Sequence, residues 1–148
     1  MRFKSPKVGG FRVFAVAGVN TISFGIEATT KAKKGLLGFS VERFDPQKNE
    51  RFTMPGFKVF KSVIPNPGPH LQVSTFDQPV QSFLWDDFTA GADHAYEYTF
   101  QPLRGKPKNL DRSAKPITTT SDRSSNRRLR TTLRTTRSFF WRRNRRSG

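Results

Sequence analysis

The chain has 148 residues with a formal net charge of +16, 34% apolar residues, 15 Phe, 2 Trp, 2 Tyr, 2 His and no Cys. That length holds one ordinary domain with an appendage but not two full domains, and so many Phe argue for a folded core rather than a wholly disordered chain. The absence of Cys excludes a disulfide framework, a thiolate nucleophile and Cys-ligated zinc.

The N-terminus Met-Arg-Phe-Lys-Ser-Pro-Lys is basic, but the apolar stretch after it is broken by Arg12 and is too short to span a bilayer, so a soluble cytoplasmic product without a transmembrane segment is expected. Phe11 to Ala17 is an apolar, β-rich run. From Asn20 to Ala28, Ile22, Phe24, Ile26 and Ala28 alternate with Thr21, Ser23, Gly25 and Glu27, the period-two pattern of a strand with one buried face. Gly18-Val19-Asn20 between them is short enough for a bend joining neighbouring strands.

Lys31 to Gly35 reads as a polar turn. A strand follows over Leu36 to Phe44, with Leu37, Phe39 and Val41 on one face, and Asp45-Pro46 stops it. Phe57 to Lys61 is a shorter strand candidate. Three prolines and a glycine between Ile64 and His70 exclude a helix there. Further strands are predicted over Val80 to Phe88, over Tyr96 to Leu103, with Tyr96, Tyr98 and Phe100 on one face, and over Lys115 to Thr119. About seven strands and no helical periodicity predict an all-β fold, an antiparallel two-sheet sandwich over residues 9–117.

From residue 118 the composition shifts to Arg, Thr and Ser. Residues 118–148 hold 10 Arg, no Lys and one acid, whereas residues 1–117 hold 11 Lys and 6 Arg against 10 acids. The segment reads as an Arg-rich disordered tail. Its arginines, notably Arg127, Arg128, Arg130, Arg142, Arg143, Arg145 and Arg146, are candidate polyanion contacts, and Phe139, Phe140 and Trp141 could stack on bases. A small nucleic-acid-binding protein using this tail is therefore the alternative functional reading.

Few residues invite chemistry. Asp86 and Asp87 are adjacent in a strand and point to opposite faces, so they read as a solvated strand end rather than an acid/base pair. His70 and His94 lack companions at metal-ligand spacing and read as surface or loop histidines. Lys31, Lys33 and Lys34 could grip phosphate, although a solvated turn is the plainer reading. Gly35, Gly38, Gly56 and Gly91 have no phosphate-loop spacing. Trp85 alternates with Leu84, so only one of them can face a given core, and an exposed aromatic there would mark a docking surface. No catalytic site, metal or cofactor is expected.

The segments Gly38-Phe39-Ser40-Val41-Glu42-Arg43 and Tyr96-Glu97-Tyr98-Thr99-Phe100-Gln101-Pro102-Leu103-Arg104-Gly105 resemble an immunoglobulin-like, fibronectin type III-like sandwich, which implies Tyr96 as a structural corner tyrosine. A second resemblance, over about residues 9–117, is to the N-terminal region of bacterial phospholipase D-like proteins. It is carried by Gly35-Leu36-Leu37-Gly38-Phe39, by Pro79-Val80-Gln81-Ser82-Phe83-Leu84-Trp85-Asp86-Asp87-Phe88-Thr89-Ala90 and by Tyr96 through Pro107. In that family the region precedes a catalytic part with two His-x-Lys-x4-Asp motifs for phosphodiester cleavage.

Here His70 precedes Leu71-Gln72 and His94 precedes Ala95-Tyr96, so neither begins that motif and the implied activity is not expected of this chain. The resemblance implies a non-catalytic accessory module, truncated before its phospholipase D-like catalytic partner. The Arg-rich tail also has the composition of a GC-rich frame read out of phase. One set of synonymous codons for Asp122 to Trp141, read one base back, encodes an acidic linker ending in Val-Phe-Phe, similar to the family's entry into its catalytic domain. A frameshift product is thus the alternative origin of the tail.

Overall fold

The computed structural model describes residues 2–91 and 94–121. In chain order its elements are β1 (Arg2–Lys4), β2 (Phe11–Ala17), β3 (Ile22–Ala28), a single helical turn α1 (Thr30–Lys33), β4 (Gly38–Asp45), β5 (Glu50–Thr53), β6 (Pro55–Gly56), β7 (Val73–Ser74), β8 (Leu84–Asp87), β9 (Glu97–Lys106), β10 (Asn109–Asp111) and β11 (Ile117–Thr120). Every strand pair is antiparallel, and α1 is the only helix among the described residues. The regular structure of the described residues is mostly β-strand in antiparallel sheets, and no described helix is long and apolar enough to cross a membrane.

One sheet has the order β1-β2-β3-β8. The other has the order β5-β4-β9, with β11 and then β10 following each other along the edge of β9 away from β4. A two-stranded ladder of β6 and β7 stands apart. Alternation fixes which face of each strand is buried. Phe11, Val13 and Ala15 of β2 are inside, as are Ile22, Phe24 and Ile26 of β3, whereas Phe14 and Val16 are exposed.

The second sheet contributes Phe39 and Val41, Tyr98 and Phe100, and Ile117 to the same core. Rings meet across the gap: Phe24 lies 4.6 Å from Tyr98 and 5.2 Å from Phe100, and Phe11 meets Phe39 edge-on at 5.4 Å. The two sheets therefore face each other over one core, where each fully buried large apolar side chain contributes ~1.5–3 kcal/mol.

Local chemistry sets the ends. Thr29 accepts a hydrogen bond from the Ala32 amide through Oγ1, capping α1, so the predicted polar turn is a helical turn with Ala32 buried beneath it. Gly38 has φ of 153° and presses its Cα against the Val80 carbonyl, where a Cβ would collide. That approach lets Phe39 and Val80 exchange backbone hydrogen bonds of 3.0 and 2.8 Å.

Two strand expectations need correction. Phe57 to Lys61 is not a strand: the Phe60 amide is taken by the Gln78 side chain, and the Phe60 carbonyl by the amides of Val63 and Ile64. The neighbouring strand is β5 instead, all four residues of which are exposed, so no alternation announced it. Within Val80 to Phe88 only Leu84–Asp87 is a strand, preceded by the lone bridge from Val80 to Phe39. Pairing is also present on both sides of residues 9–117: β1 pairs with β2, and β11, where a strand over Lys115 to Thr119 is expected, runs to Thr120.

Candidate functional site

Asp87 closes β8 on its inward face and is 1% exposed. Its Oδ1 accepts from the Thr89 amide at 2.8 Å and from the Thr89 hydroxyl at 2.7 Å, while Oδ2 accepts from Arg43 Nη1 and the Tyr98 hydroxyl, both at 2.8 Å. Arg43 is on β4 and Tyr98 on β9, so the cluster ties the edge of one sheet to the middle of the other. The Arg43 guanidinium also lies over the Tyr96 ring at 4.8 Å. Asp87 is thus no solvated strand end, although Asp86 beside it is exposed, as opposite facing requires.

Burial pushes the Asp87 carboxyl up, but hydrogen bonds from Thr89 and Tyr98 and the charge of Arg43 outweigh it, so its pKa settles below the ordinary carboxylate value. Burial and the adjacent Asp87 push the Tyr98 phenol in the other direction, upward. A fully occupied carboxylate beside a protonated phenol is a structural clasp. It has no acceptor left to take a proton from a substrate.

A second pair lies on the same end of the molecule. Asp45 accepts from the amides of Gln47 and Lys48 through Oδ1, and His94 Nε2 lies 3.2 Å from its Oδ2. Burial works against ionisation of Asp45, and the two amides with His94 more than reverse it, leaving its carboxyl low. His94 stacks on Tyr96 at 5.1 Å, whose hydroxyl accepts from the Gly91 amide at 3.3 Å. His70 is exposed, and the described residues contain no group of three side chains suited to a metal.

Trp85 is the member of its pair that faces inward, packing on Phe24 at 5.5 Å and Phe100 at 6.2 Å, while Leu84 is 72% exposed. The half-buried indole also lines an apolar cleft of about 500 Å³ with Met54, Phe57, Val80, Leu84 and Phe88. A cleft of that volume is in the range used for small molecules or a partner's side chains. Lys31, Lys33 and Lys34 are exposed around α1, far in sequence from Arg104, which nevertheless donates to the Ala32 and Lys34 carbonyls. The tail arginines Arg127, Arg128, Arg130, Arg142, Arg143, Arg145 and Arg146 lie outside the described residues; of the tail expected to be disordered from residue 118, Thr118 to Thr120 instead pair with β9 and Ser121 is buried, while the rest is outside the described residues.

Sequence reasoning missed the clasp, because Arg43 and Asp87 are 44 positions apart. One signal was present: Trp85 and Asp87 share parity, so an inward Trp85 requires an inward Asp87, and a buried carboxylate requires a cation. No family model, curated protein or solved structure matches the chain.

Proposed function

We propose that residues 9–117 are a fibronectin type III-like sandwich acting as a non-catalytic accessory module beside a phospholipase D-like catalytic domain. The strand order carries the reading: β2, β3 and β8 oppose β5, β4, β9 and β11, and the chain crosses between sheets from β3 to β4 and from β8 to β9. Immunoglobulin-like sandwiches are connected in this way. The Tyr96 hydroxyl, held by the Gly91 amide at the entry to β9, has the reach of a corner tyrosine in such folds.

Within the segment Gln81 to Phe88, part of the resemblance to the phospholipase D-like family, every residue but Phe83 lines the Trp85 cleft. In this reading the catalytic neighbour covers that cleft, meeting exposed Leu84 and Phe88 while Trp85 forms the floor. The module contributes packing and orientation rather than chemistry. Residue chemistry agrees, since Asp87 has its hydrogen-bonding capacity consumed and neither His begins a His-x-Lys motif.

The experiment is to search the DNA beside this gene for a frame carrying two His-x-Lys-x4-Asp motifs, and to express that domain with and without this module joined ahead of it. The module should raise the melting temperature of the catalytic domain, and Leu84→Ser with Phe88→Ser should cancel the gain while leaving the module folded. Absence of such a frame, or equal stability with and without the module, contradicts the proposal.

A further inference from the structure

We infer that the end of the molecule built by α1 and the β9–β10 hairpin binds single-stranded nucleic acid, with lysines on the phosphates and one base against Phe83. Arg104 fastens the two loops together, donating from Nη2 to the Ala32 carbonyl at 2.8 Å and from Nε to the Lys34 carbonyl at 3.4 Å. Residues 29–37 and 104–109 hold Lys31, Lys33, Lys34, Arg104, Lys106 and Lys108 and no carboxylate. The five lysines are exposed, and none is in an ion pair with the described residues. Of the flanking acids, Glu27 pairs with Arg12, while Asp111 accepts from the Ser113 amide and sits across from Arg104 in the β9–β10 ladder, leaving the lysines without a carboxylate partner among the described residues.

Charge alone would describe any basic surface; a cleft and an aromatic ring make this one specific. Lys33, Leu36, Leu37, Gln81, Ser82 and Phe83 line a cleft of about 130 Å³ at the same end. Lys33 Nζ sits 5.2 Å from the Phe83 ring centroid, and Phe83 is 36% exposed. A cationic groove with a stacking ring beside it is how sequence-tolerant single-strand binders hold their ligand. An anionic membrane would want apolar side chains able to enter lipid beside these lysines. Of the most exposed apolar side chains, Val19 and Phe88 lie at the opposite end, in the β2–β3 turn and just past β8, and Leu84 lines the Trp85 cleft; beside Lys33 stands the Phe83 ring, 36% exposed.

The test uses the full chain, so that the Arg-rich segment is constant, with a short labelled oligothymidylate and a salt titration followed by fluorescence anisotropy. The triple variant Lys31→Gln, Lys33→Gln, Lys34→Gln should weaken binding about tenfold and flatten the log–log salt slope by about 2, as loss of three phosphate contacts on a single strand requires. Phe83→Leu should weaken binding about tenfold with the slope unchanged, because stacking releases no counterions. The control triple Lys48→Gln, Lys58→Gln, Lys61→Gln carries the same net charge and should bind nearly as the parent does.

Hydrogen exchange of the parent should show protection over residues 29–37 and 104–109 when the oligonucleotide is added. Equal weakening by both triple variants overturns the inference. So does binding of phosphatidylserine vesicles through Lys31, Lys33 and Lys34 without lysine-dependent binding of the oligonucleotide.

Discussion

Asp87 shows what a single side chain contributes to this fold. Its carboxylate neutralises Arg43, whose side chain is only 15% exposed, so Asp87→Asn leaves a largely buried cation without its counter-charge. Breaking such a pair from one side costs ~3–5 kcal/mol, which urea denaturation would detect as a lowered midpoint with unchanged slope. A pH effect follows from the same atoms. The folded-state carboxyls of Asp87 and Asp45 lie below their ordinary value, so near pH 4 the unfolded chain binds more protons than the folded one. Their stabilisation is complete above the unfolded pKa of about 3.9 and is lost as pH falls through the folded values. Thermal melts should be flat in this respect above about pH 5 and fall below it, with a shallower fall for Asp87→Asn.

At the scale of elements, strands with one buried face were legible and edge strands were not. β3 announces itself because Ile22, Phe24 and Ile26 alternate with side chains left outside. β5 exposes all four residues and β1 at most half-buries one of its three, so burial left no period in either sequence. The Phe57 to Lys61 error has the same origin seen from the other side: an apolar run resembles a strand even when a Gln78 side chain, rather than a neighbouring strand, takes its amide. β4 depends on one contact the pattern could not reveal, the meeting of Gly38 with the Val80 carbonyl. Gly38→Ala should cost ~1–3 kcal/mol through overpacking, read by chemical denaturation, and should raise hydrogen exchange at the Phe39 and Val80 amides.

For the whole molecule, composition and alternation were enough for an all-β chain of antiparallel sheets, while the clasp and the Trp85 cleft required distant segments to be brought together. Both involve β8, whose neighbours in space come from Met54 and Phe57 on one side and Arg43 and Tyr98 on the other. The apolar core among the described residues draws on nothing after Ile117, although Thr119 and Ser121 are also buried, and the last backbone tie among the described residues is from the Ser121 amide to the Tyr96 carbonyl. A chain ending at Ser121 should therefore unfold cooperatively with a melting temperature close to that of the full chain; loss of cooperativity would mean that later residues complete the core.

The face-to-face meeting of the two sheets underlies both the clasp and the proposed module, and nuclear Overhauser contacts between assigned aromatic rings test it most directly. Phe24 should show cross-peaks to Tyr98 and to Phe100, its ring centroids being 4.6 and 5.2 Å away. Contacts from Phe24 confined to its own sheet, with none to β9, would contradict the account.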